Sequence, residues 1–486
     1  MKAAAVANRG LQIGLGQLGS QLSLLIRHTV IARWIAPAEF GIATLFLSGL
    51  QFIELVSNTA SETLLVQAKD GDDEALQSAI HWWRATRGFV NCLLVAILAG
   101  PIVYLFELPG MEWEIRAVGL VTIIRGFFHT DANRLQRHLR YGPWIASDTG
   151  SNIAATIAAI AVAAMVGDHR AIIAALFTQA IVSVGLSQLL AERPYRWRKD
   201  RAAIRRMLDF GWPLMANGIL MFGILQGDRL ILGSAPRVFG NKEVTLAEVG
   251  LYSIVSSLAM APFLAISSVC TSLFLPMLSR VQSAREQFLP VYRACLRWTS
   301  WIAAAGALFF VLTASWLVSW LSGPKYRPGW WLVVWLSLLW SVRLVRTAPT
   351  LAALSLGDTK NALYANIARG LSLVAICVAV AAHLGIEWLG FIGLAGETVA
   401  LAVSVVRLRV RQQVGALEFA KVFATYGAVV VAAILLSPYL AWSIPLQLVV
   451  ITAFAATAMF LPGARSGLAE YWTSFRNMVS RREGVL

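Results

Sequence analysis

Residues 22–62 read LSLLIRHTVIARWIAPAEFGIATLFLSGLQFIELVSNTASE. Two apolar runs flank a tight connector, Ala36-Pro37-Ala38-Glu39-Phe40-Gly41. The first run carries Arg27 in its outer half, and the second carries Glu54. Neither charge belongs in hydrocarbon unless it faces protein or water. A charged residue inside each of two span-length runs therefore points to a polar interior built from several membrane helices.

The rest of the chain has the same character. Of 486 residues, 58% are hydrophobic and 14% charged, with a mean hydropathy of +0.66. A soluble domain carries about a quarter charged residues. The fold class is an all-α polytopic membrane protein, since no run shows the alternating ~10-residue pattern of an outer-membrane strand. Reading for runs of roughly 20 apolar residues gives about 14 transmembrane helices. They fall near 11–34, 39–61, 84–106, 114–133, 144–166, 170–191, 209–234, 249–274, 298–321, 329–346, 362–383, 388–407, 419–438 and 443–462. The N-terminal apolar run continues past the length of a signal peptide, so it reads as part of the first span.

The net charge of +15 follows the topology and is not a nucleic-acid signature. Most of the 41 lysines and arginines lie in one alternate set of connectors. The richest of these is 192–206, ERPYRWRKDRAAIRR; Arg84 and Arg87, and Arg343 and Arg346, are assigned to the same set. The opposite set holds only Arg33, Arg116, Arg170, Arg237, Lys242, Lys325 and Arg327. The positive-inside rule then places both termini in the cytoplasm. Segment 192–206 reads as an inner linker, or as a patch that lies on anionic headgroups. The tail has no lipidation signal.

Ala38-Glu39-Phe40-Gly41-Ile42 returns as Ala247-Glu248-Val249-Gly250-Leu251, six spans later and in the same membrane orientation. This is the mark of a parallel repeat. It divides the chain into an N-terminal lobe (1–191), a basic linker (192–208), a C-terminal lobe (209–411), an extra helix pair (412–462) and a cytoplasmic tail (463–486).

At these residues the chain resembles a known family. Ile31-Ala32-Arg33-Trp34-Ile35-Ala36-Pro37-Ala38-Glu39-Phe40-Gly41, Phe210-Gly211-Trp212-Pro213-Leu214, Gly227-Asp228-Arg229-Leu230-Ile231-Leu232-Gly233 and Val249-Gly250-Leu251-Tyr252-Ser253 are similar to segments of bacterial polysaccharide exporters. These are the Wzx-type lipid-linked oligosaccharide flippases of the multidrug/oligosaccharidyl-lipid/polysaccharide exporter superfamily. The connector 235–248 is longer than that pattern's usual link. The resemblance implies two six-helix lobes with two added helices, forming a V that opens to alternate sides. It also implies an isoprenyl-pyrophosphate-linked glycan as cargo and drive by a proton or sodium gradient or the membrane potential, without a bound cofactor. Membrane lipids, a glycan polymerase and other assembly proteins are the implied partners.

Four arginines fall inside the predicted spans: Arg27, Arg125, Arg229 and Arg369. Each is a ligand for the pyrophosphate, since a guanidinium forks onto phosphate oxygens, or a member of an internal ion pair. The carboxylates Glu54, Glu397, Asp228 and Asp148 are the ion-coupling candidates or those pairing partners. Glu54 reads as the possible counter-charge of Arg27. His129, one turn from Arg125, can titrate or pack. Cys92, Cys270, Cys295 and Cys377 lack metal spacing and read as packing residues. The tryptophans at span ends form interfacial belts. No phosphate loop, His-Glu-x-x-His or Cys-x-x-Cys is present, and short outer connectors disfavour a glycan polymerase or acyltransferase. The peptidoglycan lipid precursor and cationic drugs are the alternative cargoes of the same fold. A drug site predicts an acidic, aromatic cavity.

Overall fold

The computed structural model describes residues 19–20, 23–138, 140–314, 316–414, 416–440 and 443–460. The readings made on 1–18 and on the tail 463–486 lie outside them. Among the described residues the secondary structure is entirely helical. This follows from the solvent, because only internally bonded backbone is stable in hydrocarbon.

Among the described residues, eleven helices are long and apolar enough to span a membrane. They are α2 (Pro37–Val56), α4 (Glu74–Phe106), α7 (Gly142–Val166), α8 (Arg170–Leu189), α9 (Arg201–Gly233), α11 (Leu246–Arg280), α12 (Arg285–Thr313), α14 (Trp330–Ser355), α15 (Lys360–Ala381), α16 (Ile386–Gln412) and α17 (Ala416–Leu440). The other three predicted runs fall on α1, described over 23–34, α5 (Glu112–Gly126) and α18 (Ile444–Phe460). Short helices α3 (Ser61–Gln67), α6 (Asp131–Arg137), α10 (Ala235–Val238) and α13 (Leu317–Ser322) complete the set.

Several helices outrun the apolar windows. Helix α4 starts ten residues before the predicted 84, because Asp73 caps it by accepting from the Ala75 amide. Arg84 and Arg87, assigned to a connector from sequence, therefore sit inside α4. Asp200 caps α9 through the amides of Ala202 and Ala203, so the second half of the basic segment forms the first turns of a span helix. Helix α14 runs to Ser355 and takes Arg343 and Arg346 out of their assigned connector. Conversely, the run 114–133 breaks after Gly126. There the His129 amide donates to Ser187 Oγ, Thr130 N to the His81 ring and Asp131 N to His129 Nδ1. Those polar bonds replace helical ones, and α6 begins in their place.

The chain divides into two units. Unit 1 holds Met1–Ala261, Val318–Arg327 and Leu373–Leu389. Within it α7 and α8 pack through small residues. Ser147, Ser151, Ala155, Ala159 and Ala163 form a buried stripe at four-residue spacing, facing Ala171 and Ala175. On α4, Phe89, Leu93 and Ile97 point outward while Gly88, Asn91, Val95 and Ala99 are buried. The two copies of the sequence repeat meet in this unit. A Cβ on Gly41 would lie 2.1 Å from the Leu246 carbonyl oxygen, and one on Gly250 would lie 1.8 Å from the Pro37 oxygen. The starts of α2 and α11 cross backbone to backbone, and only glycine fits on either side.

The basic linker is laid against unit 1. Arg193 Nη1 donates to the Asp72 carbonyl (2.8 Å), Arg196 pairs with Glu74 (3.0 Å), and Arg206 forks onto Asp70. Tyr195 stacks on His81 at 4.2 Å. Three of the linker's arginines, Arg193, Arg196 and Arg206, are thus engaged by protein acceptors and carboxylates.

Unit 2 holds Pro262–Leu317, Pro328–Ser372 and Gly390–Leu486. Helices α12 and α14 form its core, with buried Ala303, Ala304, Ala307 and Val311 on one and a nearly continuous buried face from Leu332 to Ala353 on the other.

Candidate functional site: arginine clusters in each unit

In unit 1, Ser23 and Arg27 share a face of α1, and Asp148, Asn152 and Thr156 share a face of α7, each at four-residue spacing. Arg27 Nη2 donates to Asn152 Oδ1 at 3.0 Å. Ser23 bonds Asn152 O and Thr156 Oγ1. The Asn152 oxygen also accepts from Gln179 Nε2 on α8 at 3.1 Å. Gln179 Oε1 accepts from Arg125 on α5 at 3.4 Å, and Arg125 Nη1 reaches Glu54 Oε2 on α2 at 2.6 Å. One chain of polar side chains thus crosses five helices. It contains two guanidinium groups and one carboxylate.

The pairing differs from the sequence reading: the counter-charge that Glu54 supplies goes to Arg125, and Arg27 makes no ion pair among the described residues. The spacing explains this, because Arg27 faces α7, whose nearest polar group is an amide. Arg27 is 6% exposed, and its Nε is buried with no acceptor. A buried guanidinium with an unfilled donor and no counter-ion is an unsatisfied cation. An anion would satisfy it.

The neighbouring residues Asp228 and Arg229 turn apart. Asp228 Oδ2 accepts from the Tyr252 hydroxyl at 2.6 Å. Arg229 donates to Gln226 and to Ser256 Oγ (3.1 Å), with its Nε buried and unpartnered. Asp148 accepts from Ser20 Oγ at 2.6 Å. Arg84, which sequence reasoning left in a connector, is buried and paired with Glu62.

In unit 2, Glu397 on α16 is fully buried between two arginines. Its Oε1 lies 2.6 Å from Arg346 Nε on α14, and its Oε2 lies 2.7 Å from Arg369 Nη1 on α15. Arg346 also reaches Asn366 at 3.4 Å. One turn earlier on α14, Arg343 stacks over the Trp340 ring at 5.1 Å and has Nη1 buried without an acceptor. Arg369 borders the same ring at 5.9 Å. Two guanidiniums share one carboxylate, and a third stands one turn away on the same tryptophan ring. The apolar residues after Arg346, Leu351-Ala352-Ala353-Leu354, were the signal that could have kept Arg343 and Arg346 inside the span.

Titratable groups outside the spans are held by charge. His169, just before α8, has Nδ1 2.6 Å from Glu39 and Nε2 2.8 Å from Glu114. Burial lowers its pKa, but the two carboxylates outweigh this and hold it above the ordinary histidine value. Burial pushes Asp131 up, and Arg134 at 2.5 Å reverses that, keeping its carboxyl below the usual range. The four cysteines are free thiols, and among the described residues no group of three or more metal-ligating side chains is assembled.

A bundle of this many apolar helices, with cationic polar interiors, has the fold of a multi-pass membrane transporter. The solved structure of a lipid II flippase, MurJ, in an inward closed conformation superposes with a TM-score of 0.68, at 12% identity over 92% of this chain and 99% of that one. An inward-facing multidrug-resistance transporter of the MATE family, in the MOP superfamily, gives 0.61 at 14% identity over 81% of this chain and 96% of that one. These likenesses concern the fold. The model of a polysaccharide biosynthesis protein family matches residues 30–330, and the chain belongs to that family. The succinoglycan biosynthesis transport protein ExoT of Rhizobium meliloti (strain 1021) is 20% identical over 303 residues, 60% of this chain. The match spans 59% of that relative's length. The chain is accordingly a member of a polysaccharide biosynthesis protein family with the helical fold shared by the MurJ and MATE structures.

Proposed function

We propose that the protein flips an isoprenyl-pyrophosphate-linked oligosaccharide across the bacterial inner membrane, for O-antigen, capsule or exopolysaccharide biosynthesis. Both termini are cytoplasmic, and the cargo crosses by alternating access. The observation that carries this reading is guanidinium held without a matching carboxylate: the buried Arg27, whose hydrogen bond goes to the Asn152 amide oxygen, and Arg343, Arg346 and Arg369 around the single carboxylate of Glu397. Maintaining uncompensated cations in low dielectric is costly, and an anionic headgroup offsets that cost. A cationic drug would meet the wrong sign. Glu54 is the more accessible of the two carboxylates, with 24% of its side chain exposed, and is the better placed to exchange a proton or sodium ion during turnover. A glycan polymerase acting on the translocated product is the expected partner.

The test is deletion of the gene, followed by analysis of surface polysaccharide and of lipid-linked glycan. Loss of one surface polymer with accumulation of its lipid-linked precursor on the inner leaflet is expected. An unchanged surface, or conversion of a lipid-linked glycan to a longer product by the purified protein, overturns the reading.

A further inference from the structure

Unit 2 contains a half-open cavity of about 270 Å³ between α12 and α17, remote in sequence from the arginine clusters above. It is lined on one side by Arg297, Ser300, Trp301 and Ala304, and on the other by Lys421, Thr425, Tyr426 and Val429. Both rows advance by helical turns from a cation at the mouth, through a hydroxyl, to apolar walls. Neither Arg297 nor Lys421 is paired with a carboxylate among the described residues. Ser300 is 3% exposed, and its Oγ is buried with no partner. The walls are held from behind: the Tyr426 hydroxyl bonds Ser341, and Trp301 packs against Phe454 at 5.5 Å.

We propose that this cavity is a binding site for one anionic phospholipid. Its phosphate sits between Arg297 and Lys421 and accepts from the Ser300 hydroxyl, while the Thr425 hydroxyl donates to the Lys421 carbonyl at 3.1 Å. Part of one acyl chain runs inward past Ala304 and Val429. Two unpaired cations and an orphaned hydroxyl supply the anion recognition, and the apolar depth supplies the tail slot. The volume is below the roughly 300–1,000 Å³ of ordinary ligand pockets, too small for an oligosaccharide but suited to a headgroup and a length of chain. The site is independent of the glycan reading, since it asks only for a lipid of the surrounding bilayer.

The test uses the full chain purified in mild detergent and native mass spectrometry with added phosphatidylglycerol, phosphatidylcholine or sodium pyrophosphate. One phosphatidylglycerol is expected to be retained, with phosphatidylcholine bound far less. Arg297→Gln and Lys421→Gln each weaken retention about fivefold, the equivalent of roughly 1 kcal/mol for a basic group facing an anionic lipid. Both side chains lie exposed on the protein surface, so the variants should fold. Ser300→Ala, which removes a single hydroxyl, weakens it further. Equal retention by the Arg297→Gln/Lys421→Gln double variant overturns the proposal. So does equal binding of phosphatidylcholine, or displacement by pyrophosphate at equimolar concentration, which would mark a site for soluble phosphate alone.

Discussion

Replacing Glu397 by glutamine tests the unit 2 cluster most directly. The carboxylate is fully buried, and each oxygen serves a different guanidinium, at 2.6 and 2.7 Å. The amide keeps one oxygen for one arginine and turns an NH2 donor toward the other. It also removes the only negative charge from a group that includes Arg343, Arg346 and Arg369. Breaking a buried pair from one side typically costs about 3–5 kcal/mol, because the remaining cation is stranded. Here two cations lose their partner together, so the upper part of that range applies. The assay is denaturant unfolding of the detergent-purified protein followed by tryptophan fluorescence, with Glu397→Gln, Arg346→Gln and the double variant measured alongside the parent. The double variant removes one cation with the anion and should recover much of the loss, giving a coupling energy well above ~0.5 kcal/mol. A parental midpoint for Glu397→Gln, or additive losses in the double variant, would refute the argument that one carboxylate holds the cluster together.

Four further outcomes are expected. Arg125→Ala should cut reconstituted transport at least about tenfold, the effect of losing a charge-assisted bond of roughly 1.5–3 kcal/mol, with normal membrane insertion; Glu54→Gln should alter the dependence on pH or sodium, and identical gradient dependence would make Glu54 purely structural. Gly250→Ala should destabilise the fold by about 1–3 kcal/mol through overpacking, read as a lower melting temperature in detergent, and parental stability would contradict the backbone crossing. Because the folded state raises the His169 pKa, its stabilising contribution is complete below about pH 6.5, the ordinary value, and disappears as pH rises through the higher folded-state value. Unfolding midpoints taken across that range should therefore slope downward with pH in the parent, and the slope should shrink in His169→Gln.

Much of this was legible in the sequence because hydrocarbon is a demanding solvent. Apolar windows located the helices, and the repeated Ala-Glu-x-Gly segments marked the starts of α2 and α11, whose backbone crossing only the structure shows. Window boundaries failed where helices continue into water, as at the starts of α4 and α9. They also failed where charge inside a span is masked by pairing, as with Arg346, whose guanidinium is neutralised by a residue 51 positions away. Asn152 and Gln179 join Arg27 to Arg125, yet uncharged amides leave almost no trace in a hydropathy profile. Glu54 and Arg125 were both recognisable as misplaced charges. That they belong to each other depends on which faces of α2 and α5 meet, and no local signal carries that.

The glycine crossing bears on how this gene can change. The atoms a Cβ would strike are carbonyl oxygens of Pro37 and Leu246, present whatever amino acids are encoded there. No substitution in the opposite segment can relieve the clash, so codons 41 and 250 have no compensating allele in each other. A suppressor screen begun from Gly250→Ala should return true revertants and distant stabilising changes, and none at position 41.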